Sequence, residues 1–362
     1  MNELNIQPLN PAISSAKFKQ TADDFVVKEI LDIEFDGTGE HLWLFIKKSH
    51  VNTAFVVKLL SDWANIKPSD IGFSGLKDRH ATTYQWFSLR IPQKTLPQIA
   101  FNDFIQIKYD DKTLNDNECI EPLQSVWHGK KLHRGTHKAN HFIIKLKEVM
   151  GDKNTIDTLI QQIKQCGVPN YFGEQRFGND GNNIINAQRF FAKILANNKP
   201  YKPHKKDLNK NSIYISTAKS LIFNKLLSER ITRGYYDTPL MGDVFNLAGT
   251  GSLFCDGIDD VILQRLASHD IHIAGLMFGA GRRLSRDDAY ALEEEILNLP
   301  QLQIFKDGLI KVGTQASYRP LRLLPQELIW QWDKDCLTLQ FTLPTGGFAT
   351  SVLSALGNIR AC

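Results

Sequence analysis

Apolar and polar residues alternate at period two near both ends of this chain, and a helical spacing takes over between them. The front end carries DFVVKEI (24–30), EHLWLFIKK (40–48) and HFIIKLKEV (141–149), and the back end carries ELIWQW (327–332) and CLTLQFTL (336–343). Each run predicts a strand with one face buried. The turn-rich DGTGE (36–40) joins the first two, and FIQIKYD (104–110) reads as a further strand before a polar loop at 111–118. Asn52 is placed to cap a helix running to about Ala64, with Phe55, Val56, Leu59, Leu60 and Trp63 on one face. From Thr155 the pattern turns helical, and the first such run closes at Gly167, a C-cap residue. Residues 196–212, polar and basic with two prolines, read as an exposed loop, and helices are expected over about 216–232 and 285–297. Residues 1–15 are expected to be loosely ordered. The sum is an α+β fold in three stretches: a first part over 1–152, an insertion over 153–318 and a last part over 319–362.

A chain of 362 residues, 42% hydrophobic and 23% charged, is long enough for two domains with real cores. Its net charge of +4 says little about nucleic acid, because the clustering of basic residues matters more than their sum. The five cysteines (Cys119, Cys166, Cys255, Cys336, Cys362) are dispersed with no C-x-x-C pair, which reads as free thiols in a reducing compartment. No basic-then-apolar leader and no run of 18 apolar residues occurs, so neither signal peptide nor membrane span is expected, and a cytoplasmic location follows. G-x-S-x-G and H-E-x-x-H are absent, and GLMFGAGRR (275–283) lacks the Lys-Ser/Thr ending of a phosphate loop.

Four segments have the composition of a site. GFSGLKDRHATTYQW (72–86) sets Asp78 among Lys77, Arg79 and His80, and such cations favour an ionised carboxylate able to act as a nucleophile. The same cations suit phosphates, and the run also fits a surface turn with a local salt bridge. WHGKKLHRGTHKANHFIIKLK (127–147) holds Lys130, Lys131, Arg134 and Lys138 without an acid, a field that gathers a polyanion. Asn140 and Phe142 within it are suited to hydrogen-bonding and stacking a base. His128, His133, His137 and His141 are spaced poorly for one helical face and have no Cys or acid beside them, so no metal is expected. GVPNYFGEQRFGND (167–180) combines Tyr171, Phe172, Phe177 and Arg176 with three glycines, which suits a stacking platform or a structural turn. In LPTGGFATSVLSAL (343–356), Gly346 and Gly347 lead into Phe348 and a short helix.

Together these segments resemble the TruD family of tRNA pseudouridine synthases. The matching pieces are KQTADDFVVKE (19–29), FSGLKDRHA with TYQWFSL (73–89), KLHRGTHKANHF (131–142), GVPNYFGEQRFG (167–178) and LPTGGFATSVL (343–353), in the family's order. The resemblance implies a pseudouridine-synthase-type mixed sheet with flanking helices, interrupted by an α/β insertion domain. It also implies a target, uridine-13 in the D-stem of tRNA, and a reaction needing no cofactor. Asp78 falls at the family's catalytic aspartate and Lys19 at the basic residue beside it; Phe25 and Glu29 share that N-terminal motif. Asn140 and Phe142 match its base-contacting Asn-x-Phe, and Phe348 matches the aromatic of the last motif. Substrate contacts are thus expected at Phe25, Glu29, Lys77, Asn140, Phe142 and Phe348. RNA contacts are expected at Arg79, His80, Lys130, Lys131, Arg134, Lys138, Arg176, Lys205 and Lys206. Leu76, Arg79 and Gly347 depart from the family's usual residues, but none removes a needed charge or ring. The expected partner is tRNA, with no membrane, no obligate protein partner and a monomeric chain. The rivals are a non-catalytic tRNA-binding protein on the same scaffold and a metal-dependent RNA hydrolase.

Overall fold

The computed structural model describes residues 10–109, 118–197 and 199–361. Its internal contacts divide the chain into a sheet unit (Gln7–Cys166, Leu324–Ala349 and Leu353–Cys362) and an insertion unit (Gly167–Leu323 with Thr350–Val352).

The first part of the sheet unit contains β1 (Ile13–Phe18), β2 (Phe25–Ile30), β3 (His41–Ser49), β4 (Ile71–Phe73), β5 (Thr82–Arg90), β6 (Cys119–His128) and β7 (Ala139–Met150). Its helices are α1 (Thr53–Ala64), α2 (Phe101–Tyr109) and α3 (Lys153–Cys166). The insertion unit follows with β8 (Val168–Pro169), α4 (Glu174–Phe177), α5 (Asn182–Leu195), α6 (Leu208–Thr232), β9 (Val244–Leu247) and β10 (Leu253–Cys255). It continues through α7 (Asp260–Ala267), β11 (Ile271–Met277), α8 (Asp287–Leu297), α9 (Gln303–Val312), β12 (Ser317–Pro320) and β13 (Arg322–Leu323). The chain ends with β14 (Gln326–Asp333), β15 (Cys336–Pro344), α10 (Ala349–Leu356) and β16 (Gly357–Ala361).

One mixed sheet in the order β14-β15-β7-β2-β5-β3-β6 joins both ends of the chain, with β4 on β5, and β1 between β16 and β7. The back-end strands complete the front-end sheet at β7, where Phe341 pairs with Phe142 and Leu343 with Asn140. β2 lies between β7 and β5, setting Glu29 opposite Asn140 and Val27 opposite both Phe142 and Thr83. Lys48 is in turn the partner of Thr83. Residues directly paired across neighbouring strands project to the same face, so Lys48, Thr83, Val27, Phe142 and Phe341 form a row across one side of the sheet.

Packing against this sheet, α1 buries Val56, Leu59 and Leu60, joined by Phe101 and Ile105 of α2 and by Leu42, Leu44, Ile46 and Phe87. Asn52 caps α1 by accepting the Phe55 N–H at 2.8 Å, as its spacing predicts. FIQIKYD is helix over its described residues, not strand. Phe101, Phe104 and Ile105, spaced i, i+3 and i+4, share one helical face, and their packing beside α1 selects the helix, leaving Ile107 exposed. Of the polar loop at 111–118, residues 111–117 lie outside the described residues.

Three further expectations are corrected. Of residues 1–15, expected to be loosely ordered, 1–9 lie outside the described residues, and 13–15 open the strand Ile13–Phe18, held by β16 and β7. Residues from Leu208 onward, read as loop, are the first turns of α6. These turns are polar and largely exposed, so they carry no amphipathic signal, and they extend a helix whose second half is buried. The helix over 153–166 clusters with the sheet unit, so the contact boundary falls at Gly167, where φ is +71°.

The insertion unit has its own four-stranded sheet, β10-β9-β11-β12, and a two-stranded ladder of β8 with β13. Its core gathers Phe191 of α5, Ile222 and Leu226 of α6, Leu292 and Ile296 of α8, and Phe305 and Leu309 of α9. No described helix is long and apolar enough to cross a membrane. Cys119, Cys166, Cys255 and Cys336 are free thiols.

Candidate active site

Asp78 stands on an irregular segment between β4 and β5. One carboxylate oxygen pairs with the Lys19 ammonium, and the other accepts the His80 N–H at 3.0 Å. The Asp78 side chain keeps 31% of its surface exposed, so its carboxylate remains within reach of a substrate. Burial pushes the acid upward, but the hydrogen bond and charge of Lys19, with the His80 N–H, outweigh it and hold the pKa below the usual aspartate value. Asp78 is therefore ionised at neutral pH.

Lys19 reaches this position from the turn after β1 with a left-handed backbone, φ +61°, unfavourable for a residue with a side chain. Its ammonium also lies 4.4 Å from the centre of the Phe25 ring. The sequence surrounds Asp78 with its chain neighbours, but the pairing cation comes from 59 residues away. Lys77 points the other way: its Nζ is 2.7 Å from Asn140 Oδ1 and 3.3 Å from Glu29. Arg79 is exposed and donates to the His50 carbonyl at 2.9 Å and to Glu118 at 3.1 Å.

Behind the carboxylate runs a buried polar chain. Glu29 accepts the Trp86 N–H at 3.0 Å and faces Lys77, and burial lifts its pKa against the pull of that ammonium. Asn140 Oδ1 accepts a hydrogen bond from the Lys77 ammonium, so its Nδ2 turns toward His137 Nε2 at 3.2 Å. That contact leaves the His137 proton on Nδ1, 2.5 Å from Ser74 Oγ. Burial and the charge of Lys77 hold His137 neutral down to about pH 4. The amide orientation of Asn140 is thus set from both ends.

Phe25 and Phe142 are both buried at 7% exposure, with ring centres 6.1 Å apart, and Phe142 stacks on Phe341 at 5.6 Å. They form a buried aromatic wall beside Lys19. Phe348 is half-buried at the N-cap of α10, after the turn at Gly346 and Gly347 that follows β15.

The basic block at 129–138 is the connection from β6 to β7. Lys130, Arg134 and Lys138 are exposed there, with Lys138 2.8 Å from Asp32 and Arg134 over the Phe73 ring, while Lys131 bonds the Ser69 carbonyl. Exposed His80 completes the basic set of the sheet unit. Lys205 and Lys206 are exposed in the insertion unit. Arg176, expected to contact RNA, is half-buried: it donates to Ser216 at 2.6 Å and lies over Phe172, and burial lowers its pKa. Of the histidines considered as ligands, His128 meets Asp36, His137 meets Ser74 and Asn140, and His141 meets Thr342. No group of three potential metal ligands occurs among the described residues.

Sequence reasoning weighed His137 only as a metal ligand, and missed Ser74 and three residues under the Asp78 segment: Lys48, Thr53 and Gln85. One signal was available for Lys48. It is in phase with the buried Leu42, Leu44 and Ile46 of β3, a lysine on the inward side of the alternation. Nothing local marks the other three.

The profile of the family described as tRNA pseudouridine synthase D (TruD) matches residues 14–187 and 184–356. The chain belongs to the TruD family. A tRNA pseudouridine synthase D from Psychrobacter arcticus is 42% identical over 379 residues, spanning 97% of this chain and 92% of its own. The Xanthomonas euvesicatoria protein of the same name is 36% identical over 368 residues, with 99% and 96% covered. A solved Methanosarcina mazei structure, described as a putative TruD, has a TM-score of 0.69 at 18% identity, covering 97% of this chain and 95% of its own. That likeness concerns the fold, a mixed α+β architecture shared along nearly the whole TruD chain.

Proposed function

We propose that this chain isomerises uridine to pseudouridine in tRNA, at uridine-13 of the D-stem, with Asp78 as the nucleophile. The observation that carries this reading is the ionised Asp78 carboxylate, reachable from solvent and paired with Lys19, over a floor in which Lys77 locks Asn140. The reaction breaks the N1–C1′ bond and forms a C5–C1′ bond; C5 loses a proton and N1 gains one. The balance closes without an oxidant, a reductant or a group donor.

A uridine in a stem must leave the helix to meet Asp78, at a cost of roughly a few kcal/mol. Lys130, Lys131, Arg134 and Lys138 on one unit and Lys205 and Lys206 on the other supply cations for the phosphates. At the site, the second N–H of the Asn140 amide is a donor for a uracil carbonyl, and Lys19 keeps Asp78 charged. Asp78 then attacks the ribose or the base, or removes a ribose proton to give an unsaturated sugar; each route uses the same ionised oxygen.

The test incubates wild-type and Asp78→Asn protein with unmodified tRNA transcript and maps pseudouridine by carbodiimide-blocked primer extension. Wild type should give a stop at the D-stem uridine. The variant should bind tRNA with similar affinity and convert it roughly a thousandfold more slowly or worse. Conversion near the wild-type rate would exclude Asp78 as the nucleophile, and tight binding with no stop from either protein would favour a non-catalytic tRNA-binding protein.

A further inference from the structure

The segment from Ser74 to Ala81, which carries Asp78, has no strand ladder of its own. Side chains of the underlying elements hold its backbone instead. Gln85 of β5 donates to the Gly75 carbonyl, and Thr53 at the start of α1 accepts the Lys77 N–H at 3.1 Å. Lys48 at the end of β3 donates to the Asp78 carbonyl at 3.3 Å and to the Val51 carbonyl at 2.7 Å. Lys48 and Gln85 are each 0% exposed and Thr53 is 1% exposed, so this support lies wholly inside the fold.

Lys48 is the unusual member. A buried lysine normally carries a partner carboxylate, yet among the described residues no carboxylate lies within 4.0 Å of its ammonium. The neighbouring charges acting on it are Asp78, which favours the ammonium, and Lys77, which opposes it. Burial is the largest influence, drawing its pKa down to about 8. A hydrocarbon of similar length would avoid that desolvation and still fill the row with Thr83 and Val27. The fold therefore holds a costly cation directly beneath the backbone of its reactive aspartate. Its two acceptors tie that segment to its neighbour: one is the bend at Val51, just after His50 with its left-handed φ of +59°, and the other is Asp78 itself.

We propose that Lys48 is a positioning residue for the isomerisation: it clamps the Asp78 backbone to the β3–α1 bend and lays positive charge under the nucleophilic carboxylate. The inference rests on the reading of Asp78 as the nucleophile. Lys48 is fully buried beneath the sheet surface and offers tRNA nothing to touch, so its loss should change the rate and spare the affinity.

The experiment measures single-turnover rate at saturating tRNA, tRNA affinity and melting temperature for Lys48→Met, Lys48→Gln and Asp78→Asn beside wild type. Lys48→Met should bind tRNA within about twofold of wild type, melt no lower, and convert about 10- to 100-fold more slowly, the scale of a small misplacement of a reacting group. Lys48→Gln, which keeps a donor for the carbonyls without the charge, should fall between the two. It decides the matter by the same criteria if the methionine variant does not fold. A methionine rate within about twofold of wild type, or a weaker affinity with an unchanged rate, would overturn the positioning role. If Asp78→Asn is inactive in that case, the nucleophile assignment survives. An active Asp78→Asn would remove both, since nothing would then need positioning.

Discussion

Lys48 makes a prediction about stability separable from its part in the reaction. Its folded pKa lies near 8, below the ordinary lysine value of 10.5. Between these values the unfolded chain holds a proton that the folded chain has released, so stability rises with pH across that window. Below about pH 8 both states are protonated, and the full cost of burying the charge applies. Of the groups acting on Lys48, Asp78 stays ionised across that range, and Lys77 is itself lowered by burial while Glu29 favours its charged form. Lys48→Met should therefore be more stable than wild type at pH 7, by on the order of 3 kcal/mol or less. That advantage should shrink toward pH 10, as urea titrations at several pH values would show. An advantage constant in pH would mean that Lys48 is not the group titrating. For Lys19 the expected signature is kinetic: Lys19→Met removes the cation that keeps Asp78 ionised, so the acid limb of the rate should move to higher pH. An unmoved limb would show that the His80 N–H alone holds Asp78 down.

At the level of elements, the site depends on how tightly β4 is seated. A side chain at Gly72 would place its first carbon 2.1 Å from the Leu132 carbonyl oxygen, and Leu132 is itself held by Ser88 Oγ at 2.8 Å. Gly72→Ala should therefore cost about 1–3 kcal/mol by forcing β4 from the basic connection, readable as a lower melting temperature. Asn52→Ala removes the cap of α1 and should cost about 1 kcal/mol. Because α1 begins at Thr53, which holds the Lys77 N–H, the Asn52 variant should also lose some turnover. The periodic elements were legible: α1, β2, β3, β7, β14 and β15 fall where their patterns put them. The short apolar run of α2 alternates like a strand, and its type was decided by Phe101, outside the run, packing with Ile105 beside α1. The first turns of α6 have no apolar stripe and inherit their helix from the buried turns after Thr217.

For the whole molecule, the net charge of +4 is too small to bind a polyanion by its sum, so affinity for tRNA must come from where the cations lie. The exposed sets are split between the sheet unit and the insertion unit. Converting Lys205 and Lys206 together to Ala should raise the Kd for tRNA severalfold, flatten its salt dependence by about two phosphates, and leave the rate at saturating tRNA nearly unchanged. A normal Kd with a slower rate would place these lysines outside the binding surface. Two ends of the chain close one sheet around an insertion, with β8 paired to β13 where the insertion leaves and returns. Excision between Val168 and Leu323 therefore needs only a short linker to rejoin the ends.

The sequence by itself determined the α+β class, the strands at both ends, the capped helix at Asn52, and the segments that compose the site, because each is a local matter of period, propensity or charge. Its family motifs also brought Lys19 and Asp78 together on paper across 59 positions. Only the tertiary structure decided that Lys77 serves Glu29 and Asn140 and not Asp78, and that Phe25 and Phe142 form a buried wall. It alone turned Arg176 toward Ser216 and set Ser74, His137, Lys48, Thr53 and Gln85 around the site. The reason is physical: direction and burial of a side chain depend on strand register and on contacts from distant segments, which no local pattern encodes.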